Sequence, residues 1–133
     1  MRERPLVLIV DDEDSFLETM STKLALAGFD VAVAHNGLGG VNKAENLMPD
    51  LVLMDIRMPG MTGTDAALVI KQNPKTKDVK VAFLTNMKNP WPTVSVEQRK
   101  LSKALGMEDY IEKTEDLDVI TEKVKKLISE PKS

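Results

Sequence analysis

The chain contains no cysteine and a single histidine. Disulfides and thiolate zinc sites are excluded, and one imidazole cannot build a histidine metal cluster. A long apolar run is also missing. Met1-Arg2-Glu3-Arg4 resembles the charged start of a secretion signal, but the apolar stretch after it stops at Val10 and meets Asp11-Asp12-Glu13-Asp14. A signal core needs about 7–15 apolar residues and a membrane helix about 20, so the chain is expected in the cytoplasm and off the membrane. Charge of one sign is not in excess. The net charge is −3 with no basic stripe, which argues against direct nucleic-acid binding. The lysines between Lys123 and Lys126 suit the C-terminal end of a helix, where cations meet the negative pole of the macrodipole.

What is present is ordinary globular material: 133 residues, 42% hydrophobic and 29% charged. This is enough for one buried core and too short for a second lobe. No internal repeat, low-complexity tract or interdomain linker appears, so one domain is expected over 1–133, with its core at about 5–129. Glu130-Pro131-Lys132-Ser133 reads as a frayed tail or the start of a linker.

Apolar runs alternate with helical patterns. Leu6 to Val10 is a continuous apolar strand, as in a sheet covered on both faces. Ser15-Phe16-Leu17-Glu18 reads as a capping box, opening a helix with Phe16, Met20, Leu24 and Ala27 on one face and Gly28 as its stop. Val31 to Ala34 is a second strand, and Asn36-Gly37 turns into a helix that Pro49 ends. Leu51 to Met54 is a third strand, followed by a Pro59-Gly60 loop and a helix from Thr64 to Gln72. Val79 to Leu84 is a fourth. A polar loop from Asn86 to Thr93, containing Pro90-Trp91-Pro92, leads to a capping box at Ser95-Val96-Glu97-Gln98 and a helix that Gly106 stops. Asp109 to Ile111 is a brief fifth strand. Leu117, Ile120, Val124, Leu127 and Ile128 mark the last helix, with Thr114 as its expected N-cap. The pattern is (βα)₅, an α/β chain whose natural packing is a doubly wound parallel sheet.

Polar residues stand where the strands end: Asp11-Asp12, Asp55, Thr85 and Lys113. In a parallel sheet all of them emerge at the carboxyl edge, where such folds bind ligands. Asp12 and Asp55 supply the carboxylate pair that Mg²⁺ prefers, with Asp11 beside them directly or through a metal-bound water. Crowded carboxylates repel one another, so the site favours a divalent cation. Asp55 is best placed as a nucleophile toward phosphorus. Lys113 would neutralise charge opposite the metal, and Thr85 would hydrogen-bond a phosphoryl oxygen. Asp14 reads as a helix cap. His35 reads as a solvated loop residue, Met58 and Met61 as packing under the loop, and Gly37-Leu38-Gly39-Gly40 as no phosphate loop, since it lacks the P-loop lysine.

Val10-Asp11-Asp12-Glu13, the stretch Asp55-Ile56-Arg57-Met58-Pro59-Gly60-Met61-Thr62-Gly63, Leu84-Thr85 and Tyr110-Ile111-Glu112-Lys113 together resemble the receiver domain of two-component response regulators. The resemblance covers essentially the whole chain. It implies a flavodoxin-like three-layer sandwich with a parallel five-stranded sheet of order 2-1-3-4-5. It further implies that Asp55 accepts a phosphoryl group from a histidine kinase or phosphotransfer protein with Mg²⁺, or Mn²⁺, bound, and that the Arg57 backbone carbonyl joins the metal shell. Phosphorylation would then draw Thr85 inward and let Tyr110 rotate. The face of the fourth helix, fifth strand and fifth helix would change toward a downstream protein or an output domain outside this chain, and phosphorylation-dependent dimers are compatible with this. Such a domain is a signalling module, not an enzyme in the usual sense.

The chain departs from the pattern at Thr114, where receivers usually carry a proline after a cis peptide. A cis bond to a non-proline residue costs about 2.5–4 kcal/mol, so trans is expected. Asn86 replaces the usual small residue, and it is expected, with Arg57 and Met87, to restrict access to Asp55. The loop with Trp91 is longer than usual; Trp91 packs on the fourth helix or anchors a partner. Two other functions stay open. A haloacid-dehalogenase-type phosphatase would use Asp12-Glu13-Asp14 as its D-x-D motif and Asp12 as nucleophile, but the chain lacks a later acidic pair and room for a cap domain. A phosphorylation-independent interaction module would keep the fold without the chemistry.

Overall fold

The structure is a computed structural model that describes residues 3–86, 96–107 and 109–130. The expectations for Met87, Trp91, the Ser95 capping box, the first two residues and the tail beyond 130 fall outside the described residues. Five strands alternate with five helices: β1 (Leu6–Val10), α1 (Asp14–Leu26), β2 (Asp30–Ala34), α2 (Gly37–Leu47), β3 (Leu51–Asp55), α3 (Gly63–Gln72), β4 (Lys80–Thr85), α4 (Val96–Ala104), β5 (Tyr110–Glu112) and α5 (Leu117–Ser129). The strands form one parallel sheet of order β2-β1-β3-β4-β5.

Alternation within the strands divides the core into two layers. Val7, Ile9, Leu51, Leu53, Ala82 and Leu84 face α1 and α5, where they meet Leu17, Met20, Leu24, Ile120 and Val124. Leu8, Val10, Val52, Met54 and Phe83 face the other side, against Ala44, Ala66, Ala67, Ile70 and Met107. Each large side chain removed wholly from water in these layers contributes about 1.5–3 kcal/mol. Burial of both faces explains why the strands read as unbroken apolar runs rather than as alternating ones. Among the described residues, no helix is long and apolar enough to cross a membrane.

Helix ends follow local chemistry, with two corrections. Gly28 and Gly106 take φ of +105° and +76°, the left-handed conformation that stops α1 and α4. The Asn36 side chain accepts the Gly39 N–H at 2.7 Å and caps α2. The expected capping box at Ser15 does not form: α1 begins two residues earlier, at Asp14, with Glu13 as N-cap and no side-chain cap bond. Thr114 is not the cap of α5 either. Asp116 fills that role, accepting the Asp118 N–H at 2.8 Å, because a turn at 113–115 separates β5 from the helix. The peptide bond between Lys113 and Thr114 is trans, as expected. Glycines 37 and 40 serve packing: added Cβ atoms would meet Met61 O at 2.9 Å and Val10 Cγ2 at 2.8 Å.

Candidate functional site

Strand register builds the site. Val10 pairs with Met54, Asp55 with Leu84, and Thr85 with Glu112, so Asp11, Asp55, Thr85 and Lys113 leave neighbouring strands at the same edge. The chain reverses direction along the sheet between β1 and β3, and the crevice opens at that switch point.

The structure brings the expected acids together. Asp11, Asp12 and Asp55 each offer a carboxylate oxygen, and the three oxygens lie within 4.8 Å of one another. Asp11 is fully buried, Asp55 is 7% exposed and Asp12 is exposed. Asp11 Oδ1 accepts the Glu13 N–H at 2.9 Å, which fixes its rotamer. Its other oxygen, Oδ2, is buried without an aligned hydrogen bond and is balanced only as an ion pair, 2.7 Å from Lys113 Nζ. A buried carboxylate oxygen left in that condition, beside two more carboxylates and no nitrogen or sulfur donor, fits a small hard divalent cation.

Electrostatics follow from the crowding. Burial, and then the charge of Asp11, push the Asp55 carboxyl up to about 7, while Lys113 and the Arg57 N–H, 3.4 Å from Oδ1, pull it back in part. Burial lowers the affinity of Lys113 for its proton, but the contacts with Asp11 and Glu13 and the charge of Asp55 outweigh it, so its pKa is raised. Lys113 Nζ also sits 4.8 Å above the Phe16 ring and only 4.0 Å from Asp55 Oδ2. Its backbone N–H donates to the Thr85 carbonyl at 2.7 Å, which locks the end of β5 to the end of β4.

Thr85 is buried at 5% exposure, Tyr110 is half-buried against the Met107 side of the core, and the Arg57 side chain is exposed. Asp14 does not cap α1; it lies in the first turn and pairs with His35 Nδ1 at 3.0 Å, so the exposed histidine has a partner. Met58 is buried and Met61 packs on the core, as expected of gap fillers. Two participants escape a reading of strand ends. Glu13 Oε1 contacts Lys113 Nζ directly across 100 residues of sequence. Gly63 stands against the Asp55 backbone, a closeness that the Pro59-to-Gly63 loop composition hints at without locating.

A family model for the response regulator receiver domain matches residues 7–125. The chain belongs to that family. Among curated relatives, the DNA-binding response regulator MtrA of Mycolicibacterium paratuberculosis is 36% identical over 113 residues, which is 85% of this chain and 45% of the relative. The DNA-binding dual master transcriptional regulator RpaA of Synechocystis is 27% identical over 93% of this chain and 49% of its own length. The chain therefore spans about half the length of these curated relatives. Among solved structures, the chemotaxis response regulator CheY4 of Vibrio cholerae superposes with a TM-score of 0.80 at 25% identity, covering 93% of this chain and 98% of that one. The receiver is CheY-like in fold, a module of two-component signalling, and the comparisons bring no support for a dehalogenase-type phosphatase.

Proposed function

We propose that this receiver accepts a phosphoryl group on Asp55 from a histidine kinase or a histidine phosphotransfer protein, and that it works as a signalling switch rather than as an enzyme turning over a metabolite. The observation that carries the proposal is the position of Asp55: buried at the end of the central strand, among two further aspartates and beside Lys113. In the transfer, an Asp55 carboxylate oxygen forms a bond to phosphorus as the P–N bond to the donor imidazole breaks, and the imidazole leaves with the electron pair. Asp11, Asp12, Asp55 and the Arg57 backbone carbonyl would hold Mg²⁺ or Mn²⁺. A bound cation supplies neutralisation of the phosphoryl charge. Lys113 offsets charge on the opposite side, and the Thr85 hydroxyl donates to a phosphoryl oxygen.

The output proposed is a change of the α4-β5-α5 face, as Thr85 moves inward and Tyr110 turns from its half-buried position. Such a switch needs two states that differ in their interaction with the phosphoryl group. MtrA and RpaA are named as DNA-binding, but this chain, at net charge −3, is assigned protein partners: the phosphodonor and a downstream protein or output segment. Its working compartment is taken to be the cytoplasm, and dimers of the phosphorylated form are compatible with the same face.

Intact-mass measurement with Mg²⁺ and acetyl phosphate tests the assignment. Wild type should gain one phosphoryl group and Asp55→Asn none. An adduct of equal yield in Asp55→Asn would move the site elsewhere. Absence of labelling in wild type, from both acetyl phosphate and a cognate kinase, would favour a phosphorylation-independent module.

A further inference from the structure

We propose that Glu13 is a positioning residue that parks Lys113 away from Asp55, so that the side chain at position 13 limits how readily the phosphoacceptor is charged. This rests on the reading of Asp55 as phosphoacceptor. Lys113 is the cation closest to that carboxylate among the described ion pairs, yet it does not hydrogen-bond to it. Its Nζ is 2.7 Å from Asp11 Oδ2 and in direct contact with Glu13 Oε1, while Asp55 Oδ2 stands 4.0 Å away. Hydrogen bonds of this type close at about 2.7–3.2 Å. The ammonium thus hydrogen-bonds Glu13 and ion-pairs with Asp11 instead.

Among the described residues, the Glu13 side chain pairs with Lys113 alone. Glu13 is the N-cap of α1, but the carboxylate makes no cap bond, and its N–H is held separately by Asp11 Oδ1 at 2.9 Å. Beneath the ammonium, the Phe16 ring at 4.8 Å completes the resting position. The Glu13 side chain is 52% exposed, whereas that of Lys113 is 4% exposed. Water can therefore replace Lys113 on the glutamate, and the parking is reversible.

Transfer from acetyl phosphate forms the Asp55 Oδ–P bond and breaks the P–O bond to acetate, which leaves with the electron pair. Lys113 reaches the phosphoryl oxygens beyond Asp55 only by leaving Glu13. Changing Glu13 to glutamine keeps size and backbone but removes the charge that competes for the ammonium.

The test is the rate of labelling of the 133-residue chain by acetyl phosphate with Mg²⁺, followed by intact mass. Glu13→Gln should label about twofold to fivefold faster than wild type, the range expected for a half-exposed charge pair. Asp14→Asn removes a nearby charge that touches His35 instead, and should label at the wild-type rate. In a Lys113→Met background, Glu13→Gln should give no acceleration. A second readout needs neither metal nor turnover: in chelator, the Lys113 side-chain NMR signal should shift in Glu13→Gln and stay in place in Asp14→Asn. Labelling at or below the wild-type rate in Glu13→Gln would overturn the proposal. So would an acceleration that persists without Lys113, which would mark a general effect of charge on the anionic donor, or an unmoved Lys113 signal. These results leave Asp55 as phosphoacceptor untouched. Equal labelling of wild type and Asp55→Asn sinks that reading and the parking proposal with it.

Discussion

Gly63 presses against Asp55: a Cβ on the glycine would lie 1.9 Å from the Asp55 carbonyl oxygen and 2.9 Å from the Ile56 Cα. The first turn of α3 approaches the end of β3 this closely because the Gly63 N–H donates to the Ile56 carbonyl at 2.9 Å, and the Thr62 side chain caps the helix by accepting the Asp65 N–H. Backbone on backbone leaves nothing flexible to give way. Gly63→Ala is expected to destabilise the fold by about 1–3 kcal/mol or more, the range for overpacking a rigid site, and to shift the Asp55 carboxylate. Urea unfolding measures the first effect. A variant as stable as wild type would show that the loop absorbs a methyl group.

Asp55 makes the metal-free protein less stable as pH rises. Its folded-state pKa of about 7 lies above the ordinary carboxylate value near 3.9, so between these values the folded chain holds a proton that the unfolded chain has released. Stability is then lost progressively from about pH 4 to pH 7, and the penalty remains above that. The upper bound is about 4 kcal/mol, from roughly 1.4 kcal/mol per unit, and relaxation of the site reduces it to about 1–3 kcal/mol. In chelator, Asp55→Asn should therefore exceed wild type in stability at pH 8 and match it near pH 4.5. Adding Mg²⁺ at pH 8 should raise the melting temperature of wild type and leave Asp55→Asn nearly unmoved. Equal unfolding midpoints at pH 8 would mean that the carboxylate is ionised at little cost.

Much of this site was legible because its positions are simple ones. A parallel strand buried on both faces is written as a short run of apolar residues, and the next polar residue must emerge at the carboxyl edge; Asp11, Asp55 and Thr85 follow that logic, whereas Lys113 comes one residue after Glu112, the last residue of the short, partly buried β5. Which of several capable residues caps a helix is less readable. Ser15 and Thr114 are sound caps by type, yet α1 starts at Asp14 and Asp116 caps α5, since the approach of the chain from β1 and β5 decides where helical hydrogen bonding begins. The pairing of Glu13 with Lys113 joins residues 100 apart in sequence, and no local pattern encodes it. The Asp14–His35 pair likewise depends on how the loops after β1 and β2 lie side by side.

Lys80 anchors the far end of the molecule. Its ammonium donates to the carbonyls of Leu127 and Glu130, which belong to the last turn and the C-cap of α5, where the helix leaves carbonyls without internal partners. Lys80→Met keeps the apolar stem and removes the donor. The expected loss is about 1–2 kcal/mol, with faster amide exchange confined to the end of α5. Unchanged exchange there would assign the last turn to its packing alone.

Thr85 offers two groups to the proposed switch, and they can be separated. Its backbone carbonyl accepts the Lys113 N–H at 2.7 Å, a bond that any residue at this position would keep. Its hydroxyl is the group proposed to meet the phosphoryl oxygen, from a side chain buried at 5% exposure. Thr85→Ala should therefore still label on Asp55, slowed by about tenfold at most, the equivalent of one hydrogen bond of about 1.4 kcal/mol. What it should lose is the consequence of labelling. In wild type, the ring signals of Tyr110, half-buried on β5 three residues before Lys113, should shift on phosphorylation as the ring turns toward the interior. In Thr85→Ala they should stay where they are in the unphosphorylated protein, and Thr85→Ser, which restores the hydroxyl, should recover the shift. NMR of Tyr110 before and after acetyl phosphate decides the matter: a ring that moves as far in Thr85→Ala as in wild type would disconnect the hydroxyl from the output face.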